Sequence, residues 1–206
     1  MKTRIMVFAK APQAGRAKTR LIPALGPEGA ASLAERLLQL TITQTLAAKA
    51  GPVELCVTPD PADPVWRTAR LPSGLMLSAQ GEGDLGERLT RAARRCIENG
   101  ETVMLVGTDC PDLTPQRLQA AAMALESHDV VIHPAADGGY TLLGLRRFHP
   151  RIFQDIAWST DSVAHATLCR CGELGWSVHE ADRLHDIDQP EDLVHLPESL
   201  RGVLHA

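Results

Sequence analysis

The sequence predicts a single α/β domain, in which a mostly parallel β-sheet carries helices on both of its faces. Short β-branched and apolar runs alternate along the chain with longer amphipathic segments, which is the pattern of repeated strand–helix–strand units. The chain has 206 residues, of which 44% are hydrophobic, so one core can form but two ordinary domains cannot. Because no repeat or low-complexity linker divides the chain, we expect residues 1–206 to fold as one domain.

The expected strands and helices follow in order along the chain. The strands are Arg4–Ala9, Val53–Val57, Leu75–Ala79, Thr102–Val106, Val130–His133, Tyr140–Leu145 and Trp176–His179. The helices begin at Gly26, Asp63, Asp84, Thr114, Asp161 and Asp188, and the longer ones end near Lys49, Asn99, Ser127 and Glu173. The fourth strand is apolar, which predicts a central position covered on both faces. The loop between the fifth and sixth strands is too short for a helical crossover, which predicts a local antiparallel or bent segment.

Several helices carry start signals in the sequence. Pro27 stands at the first helical position with Glu28 beside it, and the helix then presents an apolar stripe of Ala30, Leu33, Ala34, Leu37 and Leu40. Asp84 and Glu87 form a capping box. The stretch Asp188–Glu191 predicts a second capping box, with Asp188 as the N-cap residue.

Charge and composition argue against nucleic-acid and membrane partners. The formal net charge is −4, with 21 Lys and Arg against 25 Asp and Glu, whereas nucleic-acid-binding surfaces show a strong basic excess. Aromatic residues make up 3% of the chain, which disfavours a stacking platform for single strands. No apolar run approaches the ~20 residues that span a bilayer. Lys10 interrupts the apolar start of the chain, so we interpret this start as a first strand and not as a secretory signal.

The cysteines indicate a reduced, cytoplasmic protein. There are five, an odd number spread along the chain, whereas small secreted domains pair their cysteines. Cys169 and Cys171 lie close in sequence, but no second Cys or His pair stands at zinc-finger spacing, which disfavours a structural zinc.

Ligands of open α/β sheets bind outside the carboxyl ends of the strands, so the residues after each strand are the candidate site. The first such loop holds Lys10, Arg16, Lys18 and Arg20 and no acid. A solvated basic loop is one interpretation. Phosphate binding is favoured, because Gly15 lets the backbone approach a ligand and the cations neutralise phosphate oxygens. The loop matches neither the P-loop nor the G-x-G-x-x-G motif.

Acids follow the later strands. Asp109 comes directly after the fourth strand, where it either binds a ligand or caps a turn. Asp137 precedes two glycines, which allow close approach to a ligand or simply a tight turn. Asp186 and Asp188 lie on one face of an extended segment, so both can face one cation. Acids opposite a basic loop suit a metal–diphosphate site, because Mg²⁺ takes one or two carboxylates plus substrate phosphates.

Motifs in a fixed order cover nearly the whole chain: Ala9–Leu21, Gly83–Leu89, Gly107–Pro111, Asp137–Tyr140, Trp158–Thr160 and Asp186–Leu193. Together they resemble a bacterial family of glycosyltransferase-A-like proteins, formerly a domain of unknown function and often described as arsenosugar-biosynthesis-type glycosyltransferases. The resemblance implies the nucleotide-diphospho-sugar transferase fold, which nucleotidyltransferases such as the guanylyltransferases of cofactor biosynthesis share.

The resemblance implies that Asp109 and Asp188 bind a metal ion, expected to be Mg²⁺ or Mn²⁺, and the loops after the strands supply the other expected site residues. Asp109 and Lys18 are the expected catalytic residues, and the expected metal ligands are Asp109, Asp188 and Asp186. The expected nucleotide- or phosphate-binding residues are Lys10, Gly15, Arg16, Lys18, Arg20 and Arg88. The expected sugar or acceptor residues are Asp137, Gly138, Gly139, Tyr140 and Trp158.

The chain departs from two patterns of the wider superfamily. It has Thr108-Asp109-Cys110 where many glycosyltransferases have D-x-D, and Lys10-Ala11-Pro12 where most nucleotidyltransferases have a Gly-rich opening. Three functions therefore stay open. The leading one is a glycosyltransferase with a nucleotide-sugar donor and a small-molecule acceptor. The second is a nucleotidyltransferase that joins a nucleoside triphosphate to a phosphorylated small molecule. The third is a non-catalytic nucleotide-binding module, which the presence of the acids disfavours.

Overall fold

The structure is a computed structural model that describes residues 2–205, with side chains described for residues 2–202. The strands are β1 (Thr3–Lys10), β2 (Val53–Thr58), β3 (Met76–Ala79), β4 (Thr102–Val106), β5 (Val130–Pro134), β6 (Tyr140–Leu145) and β7 (Val178–Glu180). The α-helices are α1 (Ile22–Ala48), α2 (Val65–Thr68), α3 (Leu85–Glu98), α4 (Pro115–Ala124) and α5 (Val163–Glu173). Short 3-10 helices lie at Thr19–Leu21, Pro150–Phe153, Pro190–His195 and Glu198–His205.

The described strands form one sheet in the order β3-β2-β1-β4-β6-β5-β7. Strand β6 pairs antiparallel with β4 and with β5, and the other neighbouring pairs are parallel. A strand that returns without a helical crossover must run antiparallel to the one before it, so the short β5–β6 loop explains the reversal. Strand β4 lies in the middle of the sheet and is buried throughout. The predicted fold class and the central position of β4 are confirmed.

Helices cover both faces of the sheet. The core on one face packs α1 and α4 against side chains such as Ile5 and Val7 of β1. The core on the other face packs α3 and α5 against side chains such as Met6 of the same strand. Successive side chains of a strand point to opposite faces, so a strand covered on both sides is apolar along its length. Among the described helices, none is long and apolar enough to cross a membrane.

Helix α1 differs from its predicted bounds at both ends. It begins at Ile22 and is interrupted at Gly26, whose φ of 70° breaks the helix just before the predicted start. The sequence also predicts Gly51 as the residue that stops this helix, but the helix ends at Ala48, with Lys49 in the left-handed region. Gly51 instead packs closely against the start of β1. A Cβ at this position would lie 1.8 Å from the carbonyl oxygen of Thr3, so only glycine fits there.

The structure after Asp188 differs from the predicted terminal helix. A 3-10 helix at Pro190–His195 takes the place of the expected terminal α-helix, and Asp188 is not its N-cap. Oδ2 of Asp192 accepts hydrogen bonds from the backbone N–H groups of Asp188 at 2.9 Å and Gln189 at 2.6 Å. Gln189 is the N-cap residue of this helix, and the Asp188 carboxylate faces Lys18 and Arg20 instead.

The other boundaries shift by a few residues. Helix α4 ends at Ala124, before the predicted Ser127, and β7 begins at Val178, after the predicted Trp176. Trp176 packs into the core beside α5, and its N–H donates to the carbonyl of Cys171, so it belongs to the turn that follows the helix. The cysteines are free thiols, and Cys169 is exposed while the other four are buried.

Candidate active site

Lys18 occupies the centre of the crevice at the carboxyl edge of the sheet. Its side chain is only 6% exposed, and Nζ lies 2.7 Å from Oδ1 of Asp109 and 3.6 Å from Oδ1 of Asp188. The ammonium also donates to the backbone carbonyl of Ile187. The backbone of Lys18 has φ 48° and ψ 43°, the left-handed region that residues other than glycine seldom adopt. The three oxygen partners hold the ammonium group in the crevice.

Ile187 attaches the C-terminal segment to the site. Its side chain is fully buried against Leu21, Leu33 and Leu37, and its N–H donates to the carbonyl of Asp109 at 2.8 Å. Side chains alternate along an extended segment, so burial of Ile187 turns both of its neighbours, Asp186 and Asp188, toward the crevice. Both acids line the same cavity, as the sequence predicts.

The first of two adjoining cavities, cavity A, brings together most of the predicted site residues. It has a volume of about 470 Å³. The predicted residues in its lining are Lys10, Arg16, Lys18, Arg20, Asp109, Asp137, Gly139, Tyr140, Trp158, Asp186 and Asp188. Nη1 of Arg20 donates to Oδ2 of Asp188 at 2.6 Å. Within the described part of the chain, Lys10 and Arg16 form no ion pair.

The second cavity, cavity B, has a volume of about 420 Å³ and extends over the ends of β1, β2 and β4. It contains residues that cavity A lacks, namely Phe8, Ala17, Ala34, Thr58, Gln80, Arg88, Gly107 and Thr108. The two cavities share Lys10, Lys18, Leu85, Asp109 and Asp188. Two pockets therefore meet at the lysine and its carboxylates.

Gln80 is a site residue that the sequence analysis does not predict. Its amide nitrogen donates to the carbonyls of Ala9 at 3.1 Å and Cys56 at 3.0 Å. Its Oε1 accepts from Nη1 of Arg88 at 3.2 Å, and Nε of Arg88 donates to the carbonyl of Gly83 at 2.9 Å. These bonds fix the Arg88 guanidinium in cavity B. Gln80 directly follows β3, so the rule used for Asp109 also points to it.

Of the predicted aromatic and glycine site residues, Tyr140, Trp158 and Gly139 line cavity A and the others do not. Trp158 packs on the first turn of α3, where a Cβ on Gly86 would lie 2.7 Å from its Nε1. The Tyr140 hydroxyl is buried without a hydrogen-bond partner in the described residues, and burial raises its pKa. Gly15 and Gly138 lie outside the lining of both cavities. Oδ1 of Asp137 accepts from the N–H of Gly139 at 2.8 Å, which closes the tight turn that was one alternative for this motif.

The acids of cavity A create a field that favours a cation. Burial and the nearby charges of Asp137 and Asp109 raise the pKa of Asp186 to about 6. No group of three or more His, Cys, Asp or Glu side chains among the described residues could hold a metal ion by itself. Mg²⁺ needs only one or two carboxylates when substrate phosphates complete its shell. The Lys18 ammonium lies between Asp109 and Asp188, which shows that a cation fits between these two carboxylates. The two residues therefore fit a divalent ion whose remaining ligands are substrate phosphates.

A larger cavity of about 910 Å³ lies between α3 and residues 150–158. Its three arginines all contact other residues of the protein, and Arg94 lies over the ring of Phe148 at 5.3 Å. Arg91 donates to the backbone carbonyls of Gln80 and Glu82, and Arg95 pairs with Glu54. We therefore place the site in cavities A and B.

The sheet with one reversed strand, and the lysine–carboxylate crevice at its edge, define a protein of the nucleotide-diphospho-sugar transferase fold. A crystal structure from Desulfovibrio desulfuricans G20, of a protein assigned provisionally to the nucleotide-diphospho-sugar transferases, superposes with a TM-score of 0.89 and 31% identity. The match covers 100% of this chain and 95% of that one. The chain belongs to the family described as "Uncharacterized protein conserved in bacteria (DUF2064)", whose sequence model matches residues 41–160. The arsenosugar connection stays a prediction.

Two further proteins are similar to this chain. The 3-phospho-D-glycerate guanylyltransferase of Phenylobacterium zucineum (strain HLK1) is 27% identical over 182 residues, which is 86% of this chain and 83% of that protein. A manganese complex of Rv0371c from Mycobacterium tuberculosis H37Rv has a TM-score of 0.55 and 20% identity. That alignment covers 97% of this chain and 100% of that one, and it shows the shared fold.

Proposed function

We propose that the protein is a nucleotidyltransferase, which transfers a nucleotidyl group from a nucleoside triphosphate to a phosphorylated small molecule and releases pyrophosphate. The observation that carries this proposal is the junction of cavities A and B at Lys18, Asp109 and Asp188. A transferase must bring two substrates to one point in a defined orientation. The similarity to a guanylyltransferase over 86% of the chain supports this class of reaction.

Cavity B suits the nucleoside. Arg88 is held on two sides by Gln80 and Gly83, and its Nη2 has no protein partner among the described residues. A guanidinium fixed in this way offers donors to the acceptor atoms of a base or a ribose at little further cost in side-chain entropy. Thr58 and Thr108 add hydroxyl groups to the same wall.

The phosphates then lie at the junction, where the cations are concentrated. Lys18 and Arg20 neutralise phosphate oxygens, and Lys10 and Arg16 add positive charge to the wall of cavity A. A phosphorylated acceptor is attracted to this same wall. Its phosphate oxygen attacks the α-phosphorus and forms a new P–O bond, while the bond to the bridging α–β oxygen breaks and pyrophosphate leaves. The attacking oxygen is already anionic, so the step needs no general base.

Asp109 and Asp188, with Asp186 beside them, are the residues that would hold a divalent ion. When bound, Mg²⁺ or Mn²⁺ supplies positive charge that offsets the charge of the phosphates. The protein groups orient the two substrates and keep the reacting phosphorus between the two cavities.

A glycosyltransferase is the second candidate, and other lining residues of cavity A favour it. Asp137, Gly139 and Trp158 line this cavity, where polar groups suit sugar hydroxyls and an indole suits a sugar ring face. In that reaction the nucleoside diphosphate is the leaving group and the acceptor attacks the anomeric carbon. The assignment of the Desulfovibrio desulfuricans protein supports this alternative.

The two candidates differ in their products, which gives a direct test. The purified protein is incubated with Mg²⁺ and a panel of nucleoside triphosphates, with either 3-phospho-D-glycerate or a set of sugar 1-phosphates. Pyrophosphate release that needs the phosphorylated compound supports nucleotidyl transfer. A parallel panel of nucleotide sugars that yields a nucleoside diphosphate contradicts it and supports glycosyl transfer. Nucleotide binding without either product indicates a binding module.

A further inference from the structure

We propose that Lys18 occupies the cation position of the site in the free protein, so that a divalent ion binds tightly only together with a polyphosphate that draws the ammonium away. The inference rests on the proposed function for the identity of that polyphosphate. It concerns the order in which the ligands assemble, and not the reaction itself.

The contacts of Lys18 are those of a bound cation. Nζ lies 2.7 Å from Oδ1 of Asp109 and 3.6 Å from Oδ1 of Asp188, and the carbonyl of Ile187 accepts a third contact. The side chain is 6% exposed, whereas those of Asp109 and Asp188 are 47% and 32% exposed. The ammonium is thus enclosed by oxygen atoms, as a metal ion would be.

The second oxygen of Asp188 is occupied as well. Arg20 donates to Oδ2 of Asp188 at 2.6 Å, so both oxygens of this carboxylate already face a positive charge. A divalent ion that approaches the free protein therefore competes with a cation for both oxygens of Asp188 and for Oδ1 of Asp109. Two positive charges in one position repel each other, so the ion and the ammonium exclude one another.

A nucleoside triphosphate resolves this competition. Its phosphate oxygens are alternative partners for Lys18 and Arg20, and they also complete the shell of the metal ion. The polyphosphate and the metal ion should therefore bind with positive coupling. By linkage, each raises the affinity for the other by the same factor.

Lys10 provides a matched control for the test. It lies in the lining of both cavities, as Lys18 does, but it is exposed and has no ion pair among the described residues. Lys10→Met removes one positive charge from the crevice without freeing a carboxylate. Lys18→Met removes the same charge and frees Oδ1 of Asp109 and Oδ1 of Asp188, while Arg20 stays on Oδ2 of Asp188.

The experiment measures Mn²⁺ binding to the full-length protein without nucleotide, from the free-ion signal in electron paramagnetic resonance. Lys18→Met should raise the Mn²⁺ affinity by about tenfold or more, because the ion no longer competes with a charge-assisted contact. Lys18→Gly is the second variant, because its left-handed backbone suits glycine and the fold is then preserved. Lys10→Met should leave the affinity within about twofold of the wild type.

Proton relaxation enhancement then reports Mn²⁺ in the ternary complex with a nucleoside triphosphate. The triphosphate should raise the Mn²⁺ affinity of the wild type and have a smaller effect on Lys18→Gly. Unchanged affinity in both Lys18 variants, or an equal rise in Lys10→Met, overturns the inference. A wild type that binds no nucleotide contradicts the proposed function, and the measurement without nucleotide still decides the role of Lys18.

Discussion

Ion pairs lie at both edges of the same parallel strands, and the two sets are built in opposite ways. The amino-edge network consists of Arg4, Glu54, Arg95 and Glu101, and the carboxyl-edge network consists of Lys18, Arg20, Asp109 and Asp188. At the amino edge the acid is buried: the Glu54 side chain is 2% exposed, and Arg4 and Arg95 enclose it. At the carboxyl edge the cation is buried and the acids face open cavities.

This reversal separates a structural network from a functional one. An acid enclosed by two arginines has no oxygen left for a ligand, and removing one member leaves an uncompensated buried charge. Acids that face a cavity keep free lone pairs, so they can exchange an internal cation for one brought by a ligand. We expect variants at the amino edge to change stability and variants at the carboxyl edge to change binding.

The largest effect is expected for Asp109→Asn at the carboxyl edge. The amide keeps the shape but loses the charge, so metal-dependent nucleotide turnover should fall by about 100-fold or more. The melting temperature should change little, because Lys18 keeps Asp188 and the Ile187 carbonyl as partners. The rate of pyrophosphate release measures the turnover, and isothermal titration of nucleotide with and without Mn²⁺ measures metal-dependent binding. Unchanged Mn²⁺-dependent binding would show that Asp109 is not a metal ligand.

The converse is expected for Glu54→Gln at the amino edge. Two arginines then lose their buried carboxylate, which should cost about 3 kcal/mol in the free energy of unfolding. Nucleotide affinity of the folded protein should stay at the wild-type value. Urea denaturation measures the free energy of unfolding, and titration with nucleotide below the unfolding transition measures the affinity. A loss of affinity in the folded variant would contradict the assignment of the amino edge to stability and the carboxyl edge to binding.

A pH dependence of stability is expected from Asp129, which stands at the amino end of β5. Burial alone would raise the pKa of this carboxyl, but hydrogen bonds from Arg146 and Ser177 outweigh it and lower the pKa to about 2. A group whose folded-state pKa is depressed stabilises the fold above its unfolded pKa, and this stability is lost as the pH falls through the folded value. About 2 kcal/mol should disappear between roughly pH 4 and pH 2.

Asp129→Asn is the variant that tests this contribution. The wild type should lose more urea stability than this variant when the solution is changed from neutral to acidic. The difference between the two proteins is the contribution of Asp129. A variant with the same acid sensitivity as the wild type would assign the loss to other carboxylates.

A smaller effect is expected for Arg20→Ala. Its guanidinium is 54% exposed, and losing one charge-assisted contact should weaken nucleoside diphosphate binding by about tenfold. Binding of the corresponding nucleoside should hardly change, because it has no phosphates. Equal losses for both ligands would indicate that Arg20 maintains the fold of the loop.

Much of the fold follows from local patterns, and the site follows only in part. Strand β4 and the capping box at Asp84 and Glu87 are where the sequence predicts them, because apolar runs and caps act over a few residues. The placement of Asp109 in the crevice follows from the rule on strand ends, and that of Asp186 and Asp188 follows from their shared face of an extended segment. The shared partner of Asp109 and Asp188 does not follow, because the left-handed backbone of Lys18 has no marker in the sequence.

Two errors have identifiable causes. The sequence predicts a capping box at Asp188–Glu191, but in the structure Gln189 and Asp192 form it, one residue further along the chain. Gln80 follows β3 as Asp109 follows β4, but a neutral amide has no charge that marks it as a ligand-binding residue. Its role depends on contacts with Ala9, Cys56 and Arg88, which are distant in sequence or on another element.

The contact between Trp158 and Gly86 gives the molecule an optical probe of its own. The chain has three tryptophans, of which Trp66 and Trp176 are 5% and 9% exposed. Trp158 alone among them lines cavity A, with its indole resting on a position that has no side chain. Intrinsic fluorescence that changes when a ligand enters cavity A therefore reports chiefly from this one residue, without any label.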